Sequence, residues 1–219
     1  MRLLSTKILD PALKQRILSL GYSLIEYAFI QIIERKTPPI EILGEALIFS
    51  SQNAVKIGLK NPHLSPQIKS RACYCVGSKT KALLEANQIQ VLGYAPTAGD
   101  LVQSLIDSQK TFSFFCGTKR LNTIETALKK ANRLCQIVEL YDTLLTPYQI
   151  EKPTDGLLFF SPSAVESYFS LPQKISGPAF CLGSTTFDCY QKFGDQGIQA
   201  IEPHATGLLA TIQKYFQKK

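Results

Sequence analysis

Residues 158–165 read LFFSPSAV, and residues 47–55 read LIFSSQNAV. In each stretch an apolar run ends at a serine and continues into a segment with helical spacing. Two further blocks repeat in the same order: VGSKT (76–80) matches LGSTT (182–186), and APTAGDLVQSL (95–105) matches EPHATGLLATI (202–212). Three ordered matches predict that the chain contains two similar domains.

Strand-like and helix-like segments alternate along almost all of the 219 residues. The first helix is predicted to begin after Asp10 as its N-cap and to stop at Gly21. Residues 23–33, SLIEYAFIQII, are predicted as one long strand, and Asn122 with Glu125 has the spacing of a capping box. Short apolar strands separated by helices indicate α/β domains whose parallel sheets are covered on both faces.

Two loose stretches interrupt this alternation. Residues 34–41 contain two adjacent prolines, which neither a helix nor a strand continues through, and residues 141–156 form the second stretch. Five strand candidates lie between them, and the outer parts of the chain contribute two and three. We therefore predict a discontinuous domain with a second domain inserted into it; a single ten-stranded sheet is the alternative. The predicted boundaries are 1–35 plus 146–219 for the discontinuous domain, 40–140 for the inserted domain, and about 35–40 and 140–146 for the linkers.

The chain is basic, with 24 Lys and Arg residues against 17 Asp and Glu residues and a formal charge of +7. This excess favours an acidic partner, either nucleic acid, an anionic lipid surface or a polyanionic small molecule; a basic surface without a special partner is the alternative. No basic run is interleaved with aromatic residues, which argues against a nucleic-acid groove. No apolar run approaches about 18 residues, so no membrane span is expected. The N-terminus lacks a signal-peptide pattern, and we expect a cytoplasmic protein.

Cysteine and histidine do not form a metal-binding pattern. Five of the six cysteines lie in or beside apolar strand-like runs, where a reduced cysteine acts as a small hydrophobic residue. Cys73 and Cys75 would share one face of a strand, but their spacing is not that of a zinc knuckle. His63 and His204 are far from any paired ligand. We therefore predict core cysteines and no metal site.

The repeated turns have the composition of an anion-binding site. Each follows an apolar strand, consists of Ser, Thr, Gly or Asn, and opens a helix whose first N–H groups have no internal partner. Such turns bind carboxylate or phosphate groups, and in a parallel sheet they gather at the carboxyl edge of the strands. Two facing domains would present four such turns to one cleft, which suits a ligand with many anionic groups. Helix capping alone, at about 1 kcal/mol for each cap, is the alternative. The turns are not a nucleotide signature, because GSKT (77–80) lacks the upstream glycine of a P-loop and no GxGxxG occurs.

Four stretches, in their order along the chain, resemble the uroporphyrinogen-III synthase family. They are LIFSSQNAV (47–55), VGSKTKALLEANQIQV (76–91), LFFSPSAVESYF (158–169) and LGSTTFDCYQKFG (182–194). Residues 115–143, FCGTKRLNTIETALKKANRLCQIVELYDT, are similar to that family's strand-to-helix segment ending in Tyr-x-Thr. The resemblance covers the chain from about residue 45 to its end. It implies two similar flavodoxin-like α/β domains of about five strands each, joined by a two-stranded linker.

The resemblance also implies a reaction without a cofactor or a metal. The substrate would be hydroxymethylbilane, a linear tetrapyrrole with eight carboxylate side chains. The enzyme would close it with loss of water and, through a spiro intermediate, invert the last pyrrole to give uroporphyrinogen III. Because the bilane closes unaided to isomer I, the task of the protein would be mainly positional. The upstream hydroxymethylbilane synthase is a candidate partner, and we expect a monomer.

The resemblance assigns candidate site residues. Tyr141 occupies the position of the tyrosine proposed in this family to assist departure of the hydroxyl group, although a phenol with a pKa near 10 is a moderate general acid. A tyrosine that packs a linker against a domain is the alternative. Thr185 and Thr186 match threonines of the family's site. The candidate substrate-binding residues are Ser51, Asn53, Gly77, Ser78, Ser161, Ser163, Gly183, Ser184, Thr185 and Thr186.

The N-terminus departs from the family pattern. A first strand ending in Thr-Arg-Pro is usual, and Thr6-Lys7 stands in its place with the proline displaced to Pro11. Lys7 remains a candidate partner for a carboxylate. The competing function is a two-domain binding protein that closes over an anionic small molecule without transforming it. The isomer composition of the product would separate the two functions.

Overall fold

The structure, a computed structural model, describes residues 1–36, 38–173 and 177–217. Its elements in chain order are β1 (Arg2–Ser5), α1 (Pro11–Ser19), β2 (Ser23–Glu26), β3 (Ile30–Glu34), β4 (Ala46–Phe49), α2 (Gln52–Lys60), α3 (Leu64–Lys69), β5 (Cys73–Val76), α4 (Ser78–Ala86), β6 (Val91–Ala95), α5 (Ala98–Asp107), β7 (Phe112–Gly117), α6 (Thr123–Lys130), β8 (Cys135–Leu145), β9 (Gly156–Phe159), α7 (Pro162–Phe169), β10 (Ala179–Cys181), α8 (Ser184–Tyr190), β11 (Gly197–Gln199) and α9 (Ala205–Gln217).

These elements form two compact units, each with its own sheet. Unit 1 comprises Met1–Gln31 and Leu144–Lys219, and unit 2 comprises Ile32–Thr143. The sheet of unit 1 has five strands, and that of unit 2 has six. A single ten-stranded sheet is therefore wrong, and the predicted pair of α/β sheets is confirmed. Position 37, in the predicted first linker, lies outside the described residues.

The two sheets share one spatial arrangement, although the chain passes through them in a different order. Unit 1 has the order β2-β1-β9-β10-β11, and unit 2 has the order β8-β7-β4-β5-β6 with β3 beside β8. In unit 1 all four neighbouring pairs of strands are parallel. In unit 2 the pairs β4–β5, β5–β6, β4–β7 and β7–β8 are parallel as well. The repeat aligned at Ser51 and Ser161 places β4, β5 and β6 on β9, β10 and β11. It follows that β7 and β8 correspond to β1 and β2, so the units are circular permutations of one arrangement.

Both faces of each sheet are buried, as the near-continuous apolar strands predict. Leu47 and Phe49 pack in one cluster of unit 2, whereas Ala46 and Ile48 pack in another on the opposite face. Cys73 and Cys75 lie in the first of these clusters. Burial raises the pKa of the Cys73 thiol to about 12 and that of Cys75 to about 11, so both act as small apolar core residues.

Local signals account for the start of the first helix but not for that of α6. Asp10 accepts a hydrogen bond from the Leu13 N–H at 2.9 Å, which confirms the predicted N-cap. Asn122 precedes α6 but makes no side-chain cap. Glu125 pairs instead with the guanidinium of Arg120. The predicted capping box is wrong: Asn122 has φ −77° and ψ 9° where an N-cap needs an extended backbone, and a charged donor engages the Glu125 carboxylate.

The predicted long strand at 23–33 is divided into β2 and β3, which belong to different sheets. Tyr27 and Phe29, in the break, donate backbone hydrogen bonds to Ser5 and Thr6 at the end of β1. The Phe29 side chain is fully buried, with its ring centroid 5.6 Å from that of Tyr168. Anchoring of this side chain in the core of unit 1 therefore interrupts a run whose composition is uniformly strand-like.

Over the described ranges, no helix combines the length and the apolar character that a membrane crossing requires.

Candidate functional site

Each sheet has one place where the chain leaves two neighbouring strands in opposite directions, which we call its switch point. In unit 1 it lies between β1, which leads outward to β2, and β9, which leads outward to β10. In unit 2 it lies between β7 and β4 for the same reason. Loops diverge at such a point and leave a crevice at the carboxyl edge of the strands, where ligands of open α/β sheets bind. The topology therefore selects the turns after β1, β4, β7 and β9.

In unit 2 the switch point joins Ser51 and Tyr141, which are 90 positions apart in the sequence. The two hydroxyl oxygens are 2.9 Å apart, within hydrogen-bond distance. Ser51 is the N-cap of α2, and its Oγ accepts from the Ala54 N–H at 3.1 Å. Tyr141 lies on β8, and only 7% of it is exposed. The structure thus brings together the candidate acid and one candidate binding residue.

The environment of Tyr141 keeps its phenol protonated. Burial raises its pKa above the ordinary value of about 10, although the hydrogen bond with Ser51 acts in the opposite direction. The raised pKa means that the hydroxyl carries its proton throughout the neutral range. This side chain can therefore donate a proton to a leaving group, but it is not a base at rest.

The ring of Tyr141 occupies the space beside Gly117, its partner in the register of β7 and β8. A Cβ atom added to Gly117 would lie 2.7 Å from Cζ of the tyrosine, closer than real Cβ contacts. The register shifts between Cys116 and Gly117, so the strand is irregular at this point. The missing side chain of Gly117 makes room for the phenol.

Arg120 braces the turn after β7. Its Nη1 donates to the Gly117 carbonyl at 3.2 Å and to Glu139 Oε1 at 2.6 Å, and its Nε pairs with Glu125. Hydrogen bonds to Glu125 and Glu139 raise the pKa of Arg120 against the effect of burial, so the guanidinium stays charged. The same turn is tied to β8 by the Thr118 N–H, which donates to the Tyr141 carbonyl at 3.0 Å.

In unit 1 the switch point places Lys7 next to the turn that begins α7. Lys7 Nζ lies 4.3 Å from the ring centroid of Phe160, which immediately precedes Ser161. Ser161 caps α7 by accepting from the Ala164 N–H at 3.3 Å. The Thr6 hydroxyl is fully buried and donates to the Leu158 carbonyl at 2.8 Å. Thr6 therefore holds the two strands together, and Lys7 supplies the cation at this edge.

Thr118 and Lys119, which correspond to Thr6 and Lys7, were not among the residues predicted from the sequence. Ser5-Thr6-Lys7 and Gly117-Thr118-Lys119 each begin at the last residue of equivalent strands, β1 and β7, and are 112 positions apart. The N-cap position of the next helix, Asp10 or Asn122, follows at the same spacing. Lys119 is exposed. This fourth repeat could have been found by allowing the order of the blocks to be permuted.

The remaining candidates lie one strand away from the switch points. Gly77 follows β5 with φ +87°, a conformation that favours glycine, and Ser78 beside it is exposed. Gly183 has an extended backbone, and a Cβ there would meet no heavy atom closer than 3.9 Å, so nothing in the structure requires glycine. Ser184 is half-buried and Thr185 is exposed at the start of α8.

Thr186 differs from its neighbours because only 3% of it is exposed. It shares the buried face of α8 with Cys189 and Tyr190, three and four positions further on. Its counterpart in the repeat, Thr80, is 4% exposed and faces the core with Leu84. The position of Thr186 on the helix therefore places its side chain in the core, where it packs against the sheet.

Asn53 and Ser163 lie in the first turns of α2 and α7, and both are half-buried. The structure places each of them two positions after a capping serine of a switch point. Within the described part of the chain, no three His, Cys, Asp or Glu side chains are grouped so as to hold a metal ion.

Comparisons with known proteins agree with this architecture. The family model described as uroporphyrinogen-III synthase HemD matches residues 11–210. The structure of uroporphyrinogen-III synthetase from Helicobacter pylori 26695 is similar with a TM-score of 0.70 and 18% identity, covering 98% of this chain and 100% of that one. A mutant uroporphyrinogen III synthase from the extremely thermophilic bacterium Thermus thermophilus is similar with a TM-score of 0.68 and 15% identity, covering 100% of both chains. No curated protein sequence matches.

At these identities the two solved structures support the fold, and the family model supports the membership. The match extends over parts of both units and includes both serine turns and Tyr141. The chain therefore belongs to the uroporphyrinogen-III synthase family.

Proposed function

We propose that this protein is a hydro-lyase that closes hydroxymethylbilane to uroporphyrinogen III, with inversion of the last pyrrole ring and loss of water. The observation that carries the proposal is the family match over residues 11–210. The role of Tyr141 is carried over from the resemblance of its segment, residues 115–143, to that family. A protonated phenol held at the carboxyl edge of a sheet has the chemistry that departure of a hydroxyl group requires.

Tyr141 is the proposed general acid. Its Oη–H donates a proton to the hydroxymethyl oxygen, the carbon–oxygen bond breaks, and water leaves. The terminal pyrrole then attacks the freed methylene carbon through its substituted carbon, which gives the spiro intermediate. The bond between that substituted carbon and its original methylene bridge breaks, and the free α-carbon of the same pyrrole bonds to the released bridge, which inverts the ring. A proton lost from the pyrrole on ring closure balances the one that left with water. The protein supplies orientation and one proton, which is why few side chains are needed.

The carboxylates of the substrate are proposed to bind at the turns that open α2 and α7. The first N–H groups of these helices have no intrahelical acceptor, and the helix dipole adds positive potential there. Asn53 and Ser163 add polar side chains to these turns. Gly77, Ser78, Gly183, Ser184 and Thr185 form the outer candidates. Thr186 is buried, so its proposed contribution is to hold α8 against the sheet.

Lys7 and Lys119 are proposed as matched cations that each bind one substrate carboxylate. Lys7 follows β1 and Lys119 follows β7, the strands that lie beside β9 and β4 at the two switch points. Replacing either by glutamine is expected to raise KM about 3–10-fold with little change in kcat, because the charge binds substrate and transition state alike. Steady-state kinetics at two salt concentrations measures this, and the effect should shrink as salt screens the charges.

The matched control is Lys69→Gln. Lys69 is exposed at the end of α3, which leads into the start of β5, so it lies toward the opposite edge of the sheet from Lys119. An equal increase in KM for all three variants would show that only the net charge of the protein matters. That result would remove Lys7 and Lys119 from the site.

The function itself is tested by supplying hydroxymethylbilane generated in place by its synthase. After oxidation, the porphyrin isomers are separated by chromatography. Isomer III in excess is expected. Isomer I alone, formed at the uncatalysed rate although the bilane binds, would instead establish the competing binding protein. The cytoplasmic location, the monomeric state and an association with hydroxymethylbilane synthase stay predictions.

A further inference from the structure

We propose that Ser51 is a positioning residue for Tyr141, donating its hydroxyl proton to the phenol oxygen so that the phenol proton is directed at the leaving group. This inference rests on the proposed function, in which Tyr141 is the general acid. It assigns Ser51 a task different from contact with the substrate.

The hydrogen-bonding capacity of Ser51 permits this direction. A serine hydroxyl has one proton and two acceptor positions. The Ala54 N–H occupies one acceptor position at 3.1 Å, and Tyr141 Oη lies 2.9 Å away. If Ser51 donates to Tyr141, the proton of Tyr141 is left for another acceptor. The bond accepted from Ala54 also polarises the serine hydroxyl and makes it a better donor.

The same bond matters after proton transfer. When Tyr141 loses its proton, a negative charge develops on an oxygen that is nearly buried. A hydroxyl already aimed at this oxygen stabilises the charge without reorganisation, as donors do in oxyanion holes. The hydroxyl of Ser51 is held in place because its backbone is extended and its oxygen accepts from the Ala54 N–H in the first turn of α2.

Unit 1 shows that capping does not require this arrangement. Ser161 occupies the equivalent turn and makes the equivalent cap to Ala164. The residue that pairs with Ser5 there, as Tyr141 pairs with Gly117, is Glu26. Its carboxylate accepts from the Leu9 N–H and binds Lys14. The cap is therefore common to both units, and the partnership with a tyrosine belongs to unit 2.

The test compares Ser51→Ala, Ser51→Thr, Thr97→Ala, Tyr141→Phe and the double variant S51A/Y141F in the isomer assay. Ser51→Ala is expected to lower kcat about 5–30-fold with KM nearly unchanged, and Ser51→Thr is expected to restore most of it. Thr97 caps α5 by accepting from the Asp100 N–H at 3.2 Å, so Thr97→Ala loses the same kind of cap. Both alanine variants should lower Tm by about 2–4 °C, and only Ser51→Ala should lower kcat.

The decisive result is the coupling in the double variant. If Ser51 acts through Tyr141, S51A/Y141F should have a kcat within about 2-fold of Y141F alone. Multiplicative losses would overturn the inference and return Ser51 to substrate binding. Equal losses of kcat in Ser51→Ala and Thr97→Ala would also overturn it, because they would point to the loss of a helix cap.

A readout without turnover separates this inference from the proposed function. In protein labelled with fluorotyrosine, the ¹⁹F signal absent from Y141F reports the titration of Tyr141. Ser51→Ala should raise the pKa of Tyr141, since the hydrogen bond with Ser51 lowers it, and Thr97→Ala should not. Burial raises the pKa of Cys116, the other titratable group acting on Tyr141, to about 12. An unchanged pKa in Ser51→Ala would sink the inference even if isomer III is formed. Absence of isomer III from the wild-type protein would sink the proposed function, whereas the pKa of Tyr141 would still report its hydrogen bond with Ser51.

Discussion

Replacing Tyr141 with phenylalanine is expected to lower kcat for isomer III about 100-fold, a typical contribution of a positioned general acid. The variant keeps the aromatic ring that fills the space beside Gly117 and loses only the hydroxyl and its bond to Ser51. Its stability should therefore fall by about 1 kcal/mol at most. Because unaided closure of the bilane continues, the product should shift from isomer III toward isomer I. Isomer analysis after timed reactions measures both changes.

Tyr148→Phe is the matched control for this substitution. Tyr148 is partly exposed and stacks on Tyr27, with ring centroids 4.8 Å apart, so its ring contacts survive the change. Its kcat should stay near that of the wild-type protein. If Tyr141→Phe retained more than half of the wild-type activity, Tyr141 would be a packing residue and not an acid. The family membership and the fold would stand.

Replacing Gly117 with alanine is expected to impair both stability and catalysis. The added methyl group would lie 2.7 Å from Cζ of Tyr141, so either the ring or the strand must move. Overpacking of this kind costs about 1–3 kcal/mol, and displacement of the phenol from Ser51 should lower kcat about 10-fold or more. Thermal unfolding and the isomer assay, run on the same preparation, measure the two effects.

Gly183→Ala provides the control for a glycine at the end of a strand. A Cβ at Gly183 meets no heavy atom closer than 3.9 Å, and the backbone there is extended, so alanine fits. This variant should be at least as stable as the wild-type protein, because alanine restricts the unfolded chain. Equal melting temperatures of the two alanine variants would contradict the steric explanation for Gly117.

Much of the fold follows from local rules. The alternation of short apolar strands with helices predicts parallel sheets covered on both faces, and the clusters around Leu47 and Ile48 have this arrangement. Asp10, Ser51 and Ser161 cap the helices that follow them, because a cap depends on residues within one turn. Uniform composition misled the prediction at 23–33, where the core anchor Phe29 divides one apparent strand between two sheets.

The candidate site was less predictable. Thr185 and Thr186 lie in the same repeated block and were both predicted to bind substrate. Thr186, however, lies on the buried face of α8 and packs in the core. Thr118-Lys119 was overlooked because its match to Thr6-Lys7 is short and the units traverse their sheets in permuted order. Residues at equivalent places in the two sheets therefore need not occur in the same order along the chain.

The sequence by itself determined that this chain has two related α/β units, that serine turns open the helices after β4 and β9, and that it resembles one enzyme family. Those properties reside in composition, in spacing over a few residues and in motifs. Only the tertiary structure decided that Ser51 meets Tyr141 and that Gly117 makes room for the ring. These contacts join positions far apart in the chain, and they exist because β4, β7 and β8 pair side by side in one sheet.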